Sequence, residues 1–471
     1  MTSARAGYRE WLGLAVLGLP TLLLALDLSV LYLALPRLSL DLHASVNEQL
    51  WITDIYGFVT AGFLLTMGTL GDRIGRRKLL LIGAAGFGAA SVIAAYSTSV
   101  AMLIAARALL GLAGATLMPS TLALISNMFR DPRQRATAIA LWTSCFMVGV
   151  AVGPIVGGVL LEHFWWGSLF LLGVPVMALL LATAPFLLPE YRQATGERID
   201  AWSVGISLLA VLLMVSAVKL AAAGGPGPRS LLAGAAGLGA AVAFIARQRR
   251  LATPLLDLAL FENRAFNAAL VIFTVGVAAQ SGIMMLVSAH LQLVEGLTPL
   301  QAGWSLMPAS VAMVVGCLLG PIVGRYVAPA RVVSAGLVVS AVGYALIATV
   351  RDTGGLHLIE AGAILVFFGI GPMAVFSQDL IVGSAAPDKA GSAAALSEAG
   401  GDFGIALGVA LLGSVSNAVF THTMAATPGL PPAEAMAAGL RAAARVSMIV
   451  TAVLGVAAAT WLAPRTSVDI T

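Results

Sequence analysis

Apolar runs long enough to cross a bilayer recur along this sequence, and they restrict its fold more than any other feature. They fall at residues 11–36, 50–70, 79–98, 101–126, 137–161, 167–188, 202–220, 230–246, 266–291, 302–324, 331–350, 357–383, 391–420 and 442–463. A helix needs about 20 apolar residues to span the hydrocarbon core. In lipid a single apolar segment satisfies its backbone only as a helix. A soluble alternative fails on composition: only 10% of the 471 residues are charged, against about 25% in soluble domains. The expected fold class is an all-α membrane protein with 14 transmembrane helices. The first run, from Trp11 to Pro36, is too long for the apolar region of a secretory leader and lacks a small-residue cleavage pattern.

The turn from Gly68 to Leu81 sets the direction of the helices. It holds Asp72, Arg73, Arg76, Arg77 and Lys78 among three glycines. Cations enter hydrocarbon at a high cost, so they hold this turn on one face, which the positive-inside bias makes cytoplasmic. With that assignment nineteen Lys and Arg lie inside and six outside, with Arg107 within a span. Both termini are then cytoplasmic, in a multi-pass protein of the cell membrane. The net charge of +4 comes from these loops, so no nucleic-acid partner is expected. Cys145 and Cys317 stand in apolar runs half a chain apart, as packed thiols with no disulfide or metal site expected.

A coarse repeat divides the chain. Gly320, Pro321, Gly324, Arg325 and Arg331 form a weakened copy of the Gly68 turn. Setting aside the pair of runs within 202–246, each half has six. The expected organisation is an N-terminal six-helix half at 1–200, an inserted two-helix linker at 201–250 and a C-terminal six-helix half at 251–471. Repeats of this kind build transporters with a site between the halves.

These residues resemble the major facilitator superfamily, and within it the fourteen-helix drug:proton antiporter branch that includes quaternary-ammonium exporters. Gly68, Leu70, Gly71, Asp72, Arg73, Gly75, Arg76 and Arg77 match the superfamily's loop 2–3 motif. The stretch from Asp27 to Pro36 is similar to the branch's first-helix motif, with Leu28 and Ser29 where a threonine is more usual. Arg107 with Gly111, Gly114 and Ala115 resembles the fourth-helix motif. Gly149, Gly153, Pro154, Gly157 and Gly158 resemble the fifth-helix antiporter motif, and Ser397, Glu398 and Asp402 the acidic motif of the thirteenth helix. The resemblance implies the major facilitator fold and proton-coupled export, with no cofactor beyond the proton gradient.

The residues themselves carry a chemical reading. Asp27 lies midway along its run, where a carboxylate costs about 2.5–3.5 kcal/mol. Burial disfavours the charged form, so the group suits proton exchange; a structural hydrogen bond is the alternative. Glu398 and Asp402 are four residues apart, on one helix face, and would titrate as a pair. Asp54, beside Trp51 and Tyr56, could hold an organic cation. Asp379, beside Gln378, is a further candidate. Arg107 must pair with an acid, Asp27 being the natural partner. Asp72, Arg76 and Asp131 are expected to form a cytoplasmic charge latch, of pairs worth about 0–1 kcal/mol each when exposed. The glycines of residues 149–158 permit close helix approach and Pro154 removes a backbone donor, so that run reads as packing and gating.

The function expected from these features is a proton-coupled antiporter that exports hydrophobic, cationic drugs or toxic compounds by alternating access. An exporter of an endogenous secondary metabolite and a passive facilitator are the alternatives. An enzyme is not expected, because the sequence has no P-loop, HExxH or Ser–His pattern. The expected partners are small molecules, protons and the lipid bilayer, and the chain is expected to act as a monomer.

Overall fold

The computed structural model describes residues 6–191, 200–224, 227–251, 254, 256, 258–350, 355–386, 389–427 and 429–462. Among them no strand occurs. The helices in chain order are α1 (Tyr8–Asp41), α2 (Val46–Ile74), α3 (Arg76–Ala95), α4 (Val100–Met128), α5 (Pro132–His163), α6 (Ser168–Leu171), α7 (Gly173–Leu187), α8 (Ala201–Gly224) and α9 (Pro228–Gln248). A short 3-10 turn, Leu258–Glu262, precedes α10 (Arg264–Leu293), α11 (Pro299–Val323), α12 (Pro329–Ile347), α13 (Leu356–Gly383), α14 (Ala390–Ala426) and α15 (Pro432–Trp461).

Twelve stretches, not the expected fourteen, are long and apolar enough to cross a membrane among the described residues. Two runs fall outside that set. Residues 50–70 lie in α2, where Thr53, Asp54, Thr60, Thr66 and Thr69 thin the apolar surface. Residues 202–220 lie in α8, where the described apolar stretch covers Trp202–Ala217. The fourteen-helix count is corrected accordingly.

Helix starts follow local side-chain chemistry. Ser45 and Glu48 form a reciprocal capping box at α2, as Thr298 and Gln301 do at α11. Ser99, Asp131 and Asn263 cap α4, α5 and α10 through their side chains. Each such cap satisfies backbone donors that the helix leaves open, a contribution of about 1 kcal/mol.

The chain divides into two compact units. The first holds Met1–Leu260 with Ala385–Ala406, and therefore α1 to α9 and the N-terminal part of α14. Within it α1 packs on α5 and α7, α2 on α4 and α8, and α3 on α4 and α7. The second holds Phe261–Ser384 with Leu407–Thr471. There α13 lies against α10, α11 and α12, and α15 against α10 and α12.

In the first unit the α8–α9 pair is tied at its base by polar contacts. Arg247 binds Asp200 through Nε at 2.6 Å and through its other nitrogen at 3.0 Å. Hydrogen bonds from Arg247 and Ser203 hold the Asp200 carboxyl well below the usual carboxylate range. Gln248, buried, donates to Ser203 Oγ and accepts the Leu256 N–H. Phe244 and Leu256 form a small core there with Leu65 of α2 and Leu396 of α14.

The turn between α2 and α3 is fixed by its own contacts. Gly75 adopts φ +109°, a conformation that side-chain-bearing residues rarely take. The freed N-terminus of α3 is satisfied by the chain after α7: Arg76 N–H donates to Tyr191 O, and the Arg77 and Lys78 N–H groups donate to the Glu190 carboxylate. A Cβ at position 75 would stand 2.6 Å from Glu190 Oε1. Gly75→Ala is therefore expected to combine left-handed strain of about 1–2 kcal/mol with loss of this acceptor. A lower thermal unfolding midpoint checks it; an unchanged midpoint contradicts the argument.

Candidate functional site

Three helices of the first unit converge on a buried charge pair. Arg107 of α4 is 1% exposed. Its NH1 donates to Asp27 Oδ2 of α1 at 2.9 Å, and its Nε donates to Ile52 O of α2 at 3.2 Å. Its Cζ lies 4.8 Å from the centroid of the Tyr56 ring, within range of a cation–π attraction. Asp27 is partly open, with its side chain 12% exposed. The bed for this cluster is cut by glycine. A Cβ at Gly111 would meet Tyr56 O at 2.5 Å, and one at Gly114 would meet the Tyr56 hydroxyl at 2.8 Å. The small residues of α4 thus let α2 approach closely enough for its tyrosine to lie under the arginine.

The acids of α14 stand near the same cluster. Glu398 is half-buried, and its Oε1 is buried with no hydrogen-bond partner among the described residues. Asp402, one turn on, is exposed. Its charge acts on both Glu398 and the Tyr56 hydroxyl, as that of Asp27 does on Tyr56. Taken together, the first unit gathers Asp27, Arg107, Tyr56, Glu398 and Asp402. A buried carboxylate oxygen of this kind can take up a proton or attract a cation.

The cytoplasmic-latch residues are built differently from the sequence expectation. Asp72 is buried, and its carboxylate collects five donors. Arg76 supplies Nε at 2.8 Å and NH2 at 2.7 Å. The N–H groups of Gly391 and Ser392 supply 3.0 Å each, and Ser392 Oγ 3.2 Å. Asp72 therefore sits at the N-terminus of α14, where backbone donors and the helix dipole favour an anion. The approach is close: a Cβ at Gly68 would meet Gly391 O at 2.6 Å. Arg76 also donates to Ala123 O of α4. Asp131 caps α5 by accepting the Arg133 N–H at 2.9 Å.

The remaining candidates are spread more widely. Asp54 is half-buried on α2, two residues before Tyr56. Asp379 is buried beside Gln378 on α13, in the second unit. Gly149 is a packing point, since a Cβ there would meet Leu22 O of α1 at 2.3 Å. Gly153 and Gly157 are buried, α5 continues unbroken through position 154, and Gly158 has open space around it. The sequence places Tyr56 beside Asp54 and not under Arg107, and it gives no sign of Gly391 and Ser392 as partners of Asp72. The spacing of Gly111 and Gly114 opposite an aromatic residue was the available signal for the first.

Comparison with known proteins agrees with this architecture. Residues 17–409 match the Major Facilitator Superfamily. The chain is similar to the multidrug efflux pump LfrA of Mycolicibacterium smegmatis, at 42% identity over 93% of this chain and 87% of that protein. It is also similar to the methyl viologen resistance protein SmvA of Salmonella typhimurium, at 34% identity over 91% of this chain and 86% of that one. In fold it resembles the crystal structure of the human organic anion transporter MFSD10 (TETRAN), with TM-score 0.67 and 16% identity, covering 95% of this chain and 99% of the other. With its helical membrane fold and with family sequence running through both units, this chain is a transporter, not an enzyme, and belongs to the Major Facilitator Superfamily.

Proposed function

We propose that the chain exports hydrophobic organic cations, including quaternary-ammonium compounds, from the cytoplasm in exchange for protons. The observation that carries the reading is the cluster of Asp27, Arg107, Glu398 and Asp402, in which one carboxylate oxygen is buried without a hydrogen-bond partner among the described residues. A relative named as a multidrug efflux pump and another named for methyl viologen resistance support the cargo class; methyl viologen is itself a doubly quaternised cation. Protonation of Asp27 and Glu398 removes the negative charge that draws a cation, so proton and cargo compete for one set of groups. Protons arriving from outside discharge the site, and release to the cytoplasm recharges it for the next cargo molecule. Asp54 and Asp379 are further acids along the path in this reading. No cofactor takes part, and the proton gradient supplies the energy.

The cycle rests on alternating access, with an N-terminal half at residues 1–200 and a C-terminal half at 251–471 rocking about the central site, and residues 201–250 as the inserted linker. Asp72 and Arg76 close the cytoplasmic side in this reading, with Asp131 at the next turn, and the α5 run from Gly149 through Pro154 to Gly158 guards against leak. Both termini face the cytoplasm, as the loop cations argue, and the monomer is the working unit.

Purified chain in sealed vesicles with an imposed pH gradient tests the coupling. Glu398→Gln is expected to abolish gradient-driven uptake of methyl viologen and to weaken its equilibrium binding by a smaller factor, because the glutamine keeps the shape and loses both the exchangeable proton and one of the charges that draw the cation. Uptake by Glu398→Gln equal to the parent's would leave proton coupling without this residue. Uptake in the parent that ignores the gradient would point to a passive facilitator.

A further inference from the structure

Tyr56 is an aromatic residue seated among these charges, and proton exchange gives it no task. Its position is nevertheless tightly specified. Gly111 and Gly114 of α4 make room for its backbone and its hydroxyl. One face of the ring is covered by Arg107 at 4.8 Å. Asp27 holds that same guanidinium from the side. Asp402 of α14 acts on the hydroxyl through its charge.

We infer that the Tyr56 ring face is the subsite for the cationic group of the cargo, and that Arg107 fills it here as the chain's own substitute for that cation. The inference deepens the proposed function and rests on its claim that the cargo is an organic cation. The chemistry favours a ring. A quaternary nitrogen has no N–H to donate, so a carboxylate holds it only as a diffuse point charge. An aromatic face meets its carbon shell directly and attracts the charge through the ring quadrupole. The carboxylates around Tyr56 supply attraction, and the ring supplies contact and discrimination against neutral molecules.

Occupation by Arg107 has a consequence for the cycle. Cargo reaches the ring only when the guanidinium withdraws, so cargo binding and the present Arg107 placement exclude one another. The resident arginine keeps Asp27 compensated while no cargo is bound. It also sets a threshold: a weak or uncharged solute cannot displace it. Tyr56 thereby acts as a specificity residue, and Arg107 as its competitor.

Binding to the purified full-length chain tests this without any need for transport. The probes are tetraphenylphosphonium, permanently charged, and triphenylphosphine oxide, neutral and of related shape. Tyr56→Phe is expected to bind both like the parent. Tyr56→Leu is expected to lose about tenfold in affinity for tetraphenylphosphonium and to leave the oxide unchanged. Arg107→Gln is expected to tighten tetraphenylphosphonium binding several-fold in the parent, and not in Tyr56→Leu. Successive fluorination of a phenylalanine placed at position 56 drains the ring quadrupole at nearly constant shape, and should weaken only the cation, step by step. That series decides the matter even where Tyr56→Leu does not fold.

Equal losses for both probes, a flat fluorination series, or tightening by Arg107→Gln that persists in Tyr56→Leu would each overturn the subsite. The last result would assign the attraction to Asp27 alone. A parent chain that binds the two probes equally would remove the cation-export reading itself. A parent that prefers the charged probe and keeps its preference in Tyr56→Leu removes only the role of Tyr56.

Discussion

Asp27→Asn is expected to abolish gradient-driven efflux and to lower the stability of the chain by about 3–5 kcal/mol. The stability loss follows from burial. Arg107 is 1% exposed, and Asp27 is the carboxylate it contacts, at 2.9 Å. An asparagine of the same shape still accepts a hydrogen bond, but it leaves a buried guanidinium charge with Ile52 O and the Tyr56 ring as its support among the described residues. Removing one partner of such a pair costs far more than removing both, because the uncompensated charge is the expensive species. The double variant Asp27→Asn with Arg107→Gln should therefore regain most of the thermal stability. In the proposed cycle it should not regain efflux, because no carboxylate remains at position 27. Thermal unfolding in detergent and uptake into vesicles with an imposed pH gradient measure the two effects separately. Recovery of both stability and transport in the double variant would reduce the pair to a structural one, and full efflux in Asp27→Asn alone would remove Asp27 from the coupling.

How much of this was legible beforehand depends on the range of each interaction. Apolar runs are local, and most are seen as helices long enough to span. The failure at α2 comes from treating length as sufficient, when threonines and an aspartate dilute that helix. The acids at positions 27, 398 and 402 and the arginine at 107 were conspicuous because a charge in an apolar run is costly wherever it lies. Their pairing was half visible: Arg107 needs an acid, and Asp27 was within reach of that argument. Tyr56 was not, since an aromatic residue near a helix end is ordinary at a membrane interface, and only the close approach of α2 to α4 brings it under the guanidinium. Small-residue patterns also read the same whether or not a neighbour arrives. Gly149 has Leu22 O against it, whereas Gly158 has nothing within 4 Å.

The least legible feature carries the second large effect. Asp72 and Ser392 are 320 residues apart, and no local rule links them. An aspartate in a turn full of arginines invites an exposed ion pair, worth about 0–1 kcal/mol. The structure instead buries it, with Arg76 1% exposed and two backbone N–H groups of α14 directed at it. The energetic class changes with that burial. Asp72→Asn removes the charge that both Arg76 and the α14 dipole need, and its amide nitrogen would face donors where an acceptor is required. The expected loss is about 3 kcal/mol or more for the latched arrangement. Since about 1.4 kcal/mol is a factor of ten in population, amide exchange over residues 390–396 should accelerate by about two orders of magnitude, while exchange in α5 stays near the parent's. Efflux should fall at least tenfold if Asp72 and Arg76 close the cytoplasmic side as proposed, because an open side lets cargo return. Hydrogen exchange read by mass spectrometry and vesicle transport measure the two effects. Arg76→Gln with Asp72→Asn should restore part of the stability and none of the closure, because the α14 N-terminus still lacks its anion. Parent-like exchange at 390–396 in Asp72→Asn would mean that α14 holds its start without the turn, and the latch would have to be sought elsewhere.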